Sequence, residues 1–188
     1  MRPDESPSPR DRGCPRTDAV GPTTVFVLRC TKSLLKRVHP AVLAESEPAE
    51  SATRLGDWYA NLLIVRRQHL VLAVSGVTLL PVVLLAAPFK TLPARLADAV
   101  AEVLAALQID RASVAAEVAA MAEAVVTTTN SRQVLGSMND FANMLDFHIT
   151  EGTMLDAALK LAESPCRPLG MESPRRATLA LLGRDTRP

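Results

Sequence analysis

LVLAVSGVTLLPVVLLAAPF, running from Leu70 to Phe89, is the stretch of this chain that decides its fold. About 20 consecutive residues carry no charge, which is enough to cross a bilayer as one helix. Against a membrane helix, Ser75-Gly76 and Pro81 interrupt the run, and its many valines favour strands. The sequence therefore predicts two buried strands joined by a tight turn, and a membrane span is the less favoured alternative.

The segments before this run continue the strand pattern. Trp58 to Arg67 predicts a strand, and Gln68-His69 is the expected turn that joins it to Leu70–Val74 as a hairpin. Nearer the N-terminus, Val25–Cys30 predicts a short strand of β-branched and apolar residues. Thr31 is the expected N-cap of the helix that follows it.

Helical spacing takes over after the apolar run. Thr91 is expected to cap a helix whose apolar residues recur every three or four positions, and Asp110 is expected to cap the next. Val125–Thr129 is β-branched and predicts a return to strand. Asn130, with Gln133 three residues later, matches a capping box at the start of a further helix.

The C-terminal third completes the predicted domain. The helix after Asn130 has an apolar face of Val134, Met138, Phe141 and Leu145, and Met154–Ala162 predicts a last helix. The fold class expected from these elements is α+β, with one small, mostly antiparallel sheet covered by helices. The predicted organisation is a disordered leader over residues 1–23, a single domain over 24–174 and a flexible tail over 175–188.

Composition and the absence of known motifs argue against several classes of partner and site. Lys and Arg total 21 against 20 Asp and Glu, so the whole chain lacks the positive field of a nucleic-acid or membrane-surface protein. The three cysteines are far apart, with no CxxC, and no Walker loop, GxGxxG or HExxH is present. We therefore predict no metal and no cofactor, and the cysteine pattern indicates a reducing cytoplasm.

A polar stripe on the helix after Asn130 is the main candidate site. It consists of Arg132, Gly136, Asn139, Asp140 and Asn143, which share one side of a helix because residues three or four apart are neighbours. One interpretation is a solvated surface, with Gly136 permitting close helix packing. The other is a binding face, on which Arg132 offers a charged fork to a carboxylate or phosphate.

A second candidate is the GDWYAN string, which holds the only Trp and the only Tyr of the chain. Adjacent strand residues point to opposite faces, so we expect Trp58 to fill the core and Tyr59 to meet solvent or a partner. Asp57, Tyr59 and Asn61 are therefore added to the proposed binding surface.

Four strings carry a resemblance to a known family: VFVLRCTKSLLKRV, LGDWYANLL, NSRQVLGSMNDF and LAESPCRPLGMESP. On these residues the chain resembles a bacterial domain-of-unknown-function family, DUF6933, over approximately Val25 to Pro174. The most specific part is GSMNDF, Gly136 to Phe141. The resemblance implies a small soluble bacterial protein without an assigned reaction, and it transfers no catalytic residue. Thr128-Thr129 departs from the Lys-containing stretch expected there, so no phosphate role is assigned to that position.

Three functions remain open at this point. The first is a cytoplasmic binding or interaction domain for an unknown protein or a small polar ligand, using the polar helix face. The second is a hydrolase or nuclease-like enzyme in which Asp57, Asp140 and Arg132 surround a metal or phosphate. The third is a nucleic-acid accessory protein. Its basic patch would comprise Arg29, Lys32, Lys36, Arg37, Arg66 and Arg67.

Overall fold

The apolar run of residues 70–89 folds as sheet in the computed structural model, which describes residues 25–38, 51–150 and 152–183. The first part of the run belongs to a strand that ends at Ser75, and after a turn its second part forms a strand that begins at Pro81. The two predicted strands are thus confirmed. Across the described ranges, no helix combines the length and the apolar character needed to cross a membrane. The leader predicted for residues 1–23 lies outside the described residues.

The sheet is mixed. Its strands are β1 (Val25–Cys30), β2 (Trp58–Val65), β3 (Gln68–Ser75), β4 (Pro81–Leu85) and β5 (Glu123–Thr128). Their order across the sheet is β4-β3-β2-β1-β5. The pairings β4-β3 and β3-β2 are antiparallel, whereas β2-β1 and β1-β5 are parallel. The expectation of a mostly antiparallel sheet was therefore wrong.

Helical connections explain the parallel half of the sheet. The helices are α1 (Lys32–Val38), α2 (Leu92–Ala106), α3 (Arg111–Ala120), α4 (Arg132–His148), α5 (Met154–Ala162) and α6 (Pro174–Leu182). Helix α1 follows β1, and the chain then returns to pair β2 alongside β1 in the same direction. Helices α2 and α3 similarly precede β5, which joins the far side of β1. Parallel neighbours need such crossover connections, whereas the tight turns between β2, β3 and β4 produce antiparallel neighbours.

The β2-β3 hairpin turns at Arg66-Arg67, two residues before the predicted turn. Both arginines have positive φ, 49° and 67°, as the mirror-image hairpin turns require. Gln68 and His69, expected in the turn, already pair with Val65 and Ile64 in the ladder. The prediction was wrong because arginine is an uncommon residue for this backbone conformation.

Caps fix the starts of the later helices. The Asp110 side chain accepts a hydrogen bond from the Ser113 N–H at 2.9 Å, which confirms its predicted capping role. Thr91 precedes α2 as expected but makes no side-chain cap bond. Thr153 and Asp156 form a reciprocal capping box at the start of α5.

Residues 175–183, expected to belong to a flexible tail, differ from that expectation. They lie in and just after α6, where the Leu182 side chain is fully buried. The Thr178 hydroxyl is also buried and donates to the Thr78 hydroxyl at 3.0 Å. The Pro-rich segment after Ser164 therefore leads into a helix that completes the core.

Glu117 is a buried acidic residue that joins α3 to the approach to β2. Its carboxylate accepts the backbone N–H groups of Arg54 and Leu55, each at 3.0 Å. Burial raises the pKa of this carboxyl above its ordinary value, and the two hydrogen bonds oppose that effect.

Candidate functional site

Helix α4 begins one residue later than the sequence indicated. Ser131 is the N-cap, and its hydroxyl accepts from the Val134 N–H at 3.3 Å. Asn130, predicted as the cap, instead accepts a hydrogen bond from the Tyr59 hydroxyl at 2.7 Å. The prediction of an Asn130–Gln133 capping box was therefore wrong, because a side chain of β2 bonds to the Asn130 amide oxygen.

The apolar face of α4 is as predicted: Val134, Met138, Phe141 and Leu145 are all buried. The opposite side of the helix carries the polar residues, which are exposed. These are Arg132, Gly136, Asn139, Asp140 and Asn143.

This polar stripe divides into two rows. Arg132, Gly136 and Asp140 repeat every four residues and line one groove. Asn139 is exposed outside that groove, and Asn143 lines a separate depression together with Phe147. Residues three or four positions apart lie on the same side of a helix. A row of residues four apart is inclined to the helix axis, however, so it can line a groove that the adjacent polar residues do not reach.

The groove lies between α4 and the segment Ser164–Pro168 and has a volume of about 370 Å³. Its apolar lining comes from Phe141, Met144 and the prolines of that segment. The Ser164 hydroxyl contacts the Met144 sulfur at 3.9 Å, which joins the two walls.

Cys166 fixes the second wall of the groove. Its N–H donates to the Glu172 carbonyl, and its own carbonyl accepts from Leu169 and Met171, each at 3.0 Å. Sequence reasoning missed this wall, because a proline-rich segment with one cysteine has the composition of a surface tail. These bonds close a turn within residues 166–172 and so order the backbone of this wall.

The groove contains two arginines without a partner among the described residues and a thiol close to a carboxylate. Arg132 and Arg167 are exposed, and neither guanidinium forms a hydrogen bond or ion pair with the described residues. Burial raises the pKa of the Cys166 thiol, and the nearby Asp140 carboxylate raises it further. A thiol that stays protonated is a weak nucleophile.

Gly136 opens onto free space. A Cβ atom added at this position would meet no other atom within 4 Å, apart from the helix itself and the adjoining residues. The interpretation that Gly136 permits close helix packing is therefore wrong. The glycine instead widens the groove beside Arg132 and Asp140.

The GDWYAN residues form a different polar set, on the sheet. Asp57 accepts a hydrogen bond from the Arg29 Nε at 2.6 Å, and the Arg29 guanidinium carbon lies 6.0 Å from the centre of the Tyr59 ring. Tyr59 is only 6% exposed and Trp58 is fully buried. The expectation that Tyr59 meets solvent was wrong, since both faces of β2 are covered at this point.

Asn61 completes this set on β2. Its side-chain oxygen accepts from the Thr31 hydroxyl at 2.8 Å, while the Thr31 N–H donates to the Ala60 carbonyl at 3.0 Å. The residues of this set therefore hold the parallel strands together, and none of them lines the α4 groove. The Tyr59–Asn130 bond connects this set to the residue just before the Ser131 cap.

The residues of the enzyme hypothesis occupy different places. Asp57 pairs with Arg29 on the sheet, while Asp140 and Arg132 line the groove. Within residues 25–38, 51–150 and 152–183, no cluster of three or more His, Cys, Asp or Glu is arranged to hold a metal ion.

The basic patch of the nucleic-acid hypothesis is likewise divided. Arg29 is 5% exposed and pairs with Asp57, and Arg66 pairs with Asp146 at 3.3 Å. The other exposed basic residues of that patch lie on α1 and in the β2-β3 turn: Lys32, Lys36, Arg37 and Arg67.

Comparison with known proteins places the chain in a family. No curated protein and no solved structure matches it. The family model of the domain of unknown function DUF6933 matches residues 27–177. The matched range includes both walls of the groove and the whole sheet apart from the first two residues of β1. The chain therefore belongs to the DUF6933 family.

Proposed function

We propose that this chain is a binding protein for a small ligand with an anionic group and an apolar body, held in the groove between α4 and Ser164–Pro168. The observation that carries the proposal is the pair of exposed guanidinium groups, Arg132 and Arg167, on an apolar-lined groove of about 370 Å³. That volume falls within the usual range of small-molecule pockets, which favours a small ligand over a protein surface.

The two arginines determine the preferred charge of the ligand. A guanidinium binds a carboxylate or phosphate through parallel N–H bonds, and neither side chain is engaged elsewhere in the described part of the chain. Asp140 adds one negative charge to the same groove, so an anionic group is expected near the arginines and the uncharged part of the ligand near Phe141.

Gly136 supplies the space that such a ligand needs. Its missing side chain leaves the α4 backbone open to a bound molecule, and no described residue fills that space. Asn139 and Asn143, predicted for the same face, lie outside the groove. We therefore propose a site made of Arg132, Gly136, Asp140 and the second wall.

A cytoplasmic location is part of this proposal. Among the described residues, Cys30 and Cys166 are buried and unpaired. Free buried thiols fit a reducing compartment, where disulfides are rare.

Titration of the purified chain with benzoate tests the proposal, with benzyl alcohol as the uncharged match. We expect benzoate to shift the amide NMR signals of Gly136, Asp140 and Cys166 saturably, and benzyl alcohol to bind more weakly. Replacing both Arg132 and Arg167 by alanine should weaken benzoate binding by about tenfold, because both charge-assisted contacts are lost. Gly136→Leu should abolish binding by filling the groove.

The matched control is Arg111→Ala. Arg111 is the first residue of α3, as Arg132 is of α4, and it is also exposed, but it lines no part of the groove. This variant should bind benzoate as the wild type does. Equal binding by the double arginine variant and the wild type would contradict the proposal, as would shifts confined to residues outside the groove.

A further inference from the structure

A groove of about 550 Å³ lies beside strand β4, between helices α2 and α5. Both helices pack against β4, so the strand itself is covered and the groove is the space left between the two helices. The floor of the groove consists of buried apolar side chains: Val82, Val83 and Leu84 of β4, Val103 of α2 and Ala158 of α5. A volume of this size falls within the usual range of small-molecule pockets.

Apolar side chains also reach the open part of this groove. Met154 and Leu155 of α5 and Ala99 of α2 line it and are partly exposed. The Leu85 side chain, at the end of β4, is 47% exposed. Covering such side chains with an apolar molecule removes them from water, which is favourable. The groove is therefore suited to a ligand with an apolar body.

Two carboxylates line the groove on the α2 side. Asp98 and Glu102 are exposed, and neither forms an ion pair with any residue in the described part of the chain. They are four residues apart, which places their Cβ atoms roughly 5–6 Å from each other on one side of the helix, where like charges repel. An ammonium group has three N–H donors, so a single one can bond to both carboxylates and remove that repulsion.

Arg95 is the one basic residue among the described residues that line the groove, and its bonds are made elsewhere. Its guanidinium donates to the carbonyls of Leu85 at 2.7 Å, Ala86 at 3.0 Å and Pro88 at 2.9 Å. Its Nε donates to the Thr91 hydroxyl at 3.3 Å. These bonds hold the arginine on the segment that follows β4. The acidic residues of the groove outnumber its basic residue, so the groove favours a positively charged ligand.

We propose that the groove between α2 and α5 binds a small organic amine with an apolar body. The ammonium group lies between Asp98 and Glu102, and the apolar body packs on Met154 and Leu155. The carboxylates select a cation over an anion, and the apolar walls select an organic cation over a bare metal ion. This site is separate from the α4 groove, which is proposed to bind a ligand of opposite charge, and it does not depend on that proposal.

Titration of the full chain with phenylbutylamine, followed by amide NMR, tests this proposal. We expect the signals of Val83, Glu102 and Leu155 to shift saturably. Phenylbutanol, the uncharged match, should bind about threefold to tenfold more weakly, because it lacks the two ion pairs with exposed carboxylates. Phenylbutyrate, the anionic match, should leave these three signals unchanged at the same concentration.

Variants of the chain test the two carboxylates directly. The pair Asp98→Asn and Glu102→Gln should weaken phenylbutylamine binding by about threefold to tenfold and leave phenylbutanol binding unchanged. The matched control pair is Glu123→Gln and Glu172→Gln, which removes the same charge at two exposed positions outside the groove. The control pair should bind phenylbutylamine as the wild type does.

A further pair of variants tests the space in the groove. Ala99→Leu puts a larger side chain into the groove and should abolish binding of both phenylbutylamine and phenylbutanol. Ala105→Leu is the matched control, because Ala105 is an exposed alanine of the same helix that does not line the groove. This control should bind both compounds normally. The dispersion of the amide spectrum shows whether each variant is folded.

Three outcomes would overturn the proposal. One is equal binding of phenylbutylamine and phenylbutanol, which would mean that the carboxylates select nothing. Another is equal binding of phenylbutylamine by the Asp98/Glu102 variant and the wild type. The third is a shift of the groove signals with protein concentration in the absence of amine, which would show that a second copy of the chain occupies the groove. The variant that lacks Arg132 and Arg167 should bind phenylbutylamine as the wild type does, whatever its binding of benzoate.

Discussion

Replacing Gly136 by alanine should stabilise the protein. Gly136 lies in the interior of α4, where glycine is less favourable than alanine by about 0.5 to 1 kcal/mol because it loses more backbone freedom on folding. In many helices a packing clash cancels that gain. Here the added methyl group would meet no atom of a neighbouring element within 4 Å, so we expect the full gain in the free energy of unfolding.

Urea denaturation followed by circular dichroism measures this change as a higher midpoint at an unchanged slope. Gly76→Ala is the control, since its Cβ would lie 3.0 Å from the Asp57 carbonyl and 3.4 Å from the Tyr59 ring. That variant should be less stable than the wild type. A lower midpoint for Gly136→Ala would refute the reasoning, because it would mean that the helix surface at Gly136 is packed against another part of the chain.

Three further substitutions probe the buried polar contacts. Tyr59→Phe removes the hydrogen bond to Asn130 and should cost about 1 kcal/mol in urea denaturation, whereas an unchanged midpoint would show that water replaces the bond. Asp57→Ala removes an ion-pair partner of the buried Arg29 and should cost about 3 kcal/mol; a loss below about 1 kcal/mol would show that this ion pair contributes little to stability. Glu117→Gln tests pH dependence. Burial raises the pKa of Glu117 in the folded state, so its contribution to stability is complete below its ordinary pKa and is lost as the pH rises through the folded value. The unfolding free energy of the wild type should therefore fall relative to that of Glu117→Gln as the pH rises through the mildly acidic range. A difference that stays constant with pH would contradict the raised pKa.

Local sequence patterns predicted most of the elements. Val25–Cys30 and Met154–Ala162 have the predicted bounds, and Asp110 caps α3 as expected. The apolar face of α4 is also correct. These features depend on spacing and propensity within a few residues, which a single sequence contains.

Local sequence patterns could not predict which strands pair or in which direction they run. Strand β1 contacts β2 and β5 across long connections, and no local pattern shows that both run parallel to it. The turn at Arg66-Arg67 lacks glycine and asparagine, so its position also had no usual signal.

The candidate site was only partly predictable. Helical spacing identified Arg132, Gly136 and Asp140, but it could not separate them from Asn139 and Asn143 without the opposite wall. That wall, Ser164–Pro168, comes from a segment with the composition of a tail. Likewise, GDWYAN was noticed for its aromatic pair, whereas its side chains serve to join β1, β2 and the start of α4.

The position of β1 between β2 and β5 has a consequence for the order of assembly. On the ribosome, the hairpins of β2, β3 and β4 can close soon after each strand emerges, because their partners are near in sequence. Strand β1 is synthesised first, yet it pairs on one side with β5, roughly 100 residues later in the chain. The nascent protein must therefore keep an apolar strand half-paired until β5 has been translated, and that interval is when it is most exposed to aggregation.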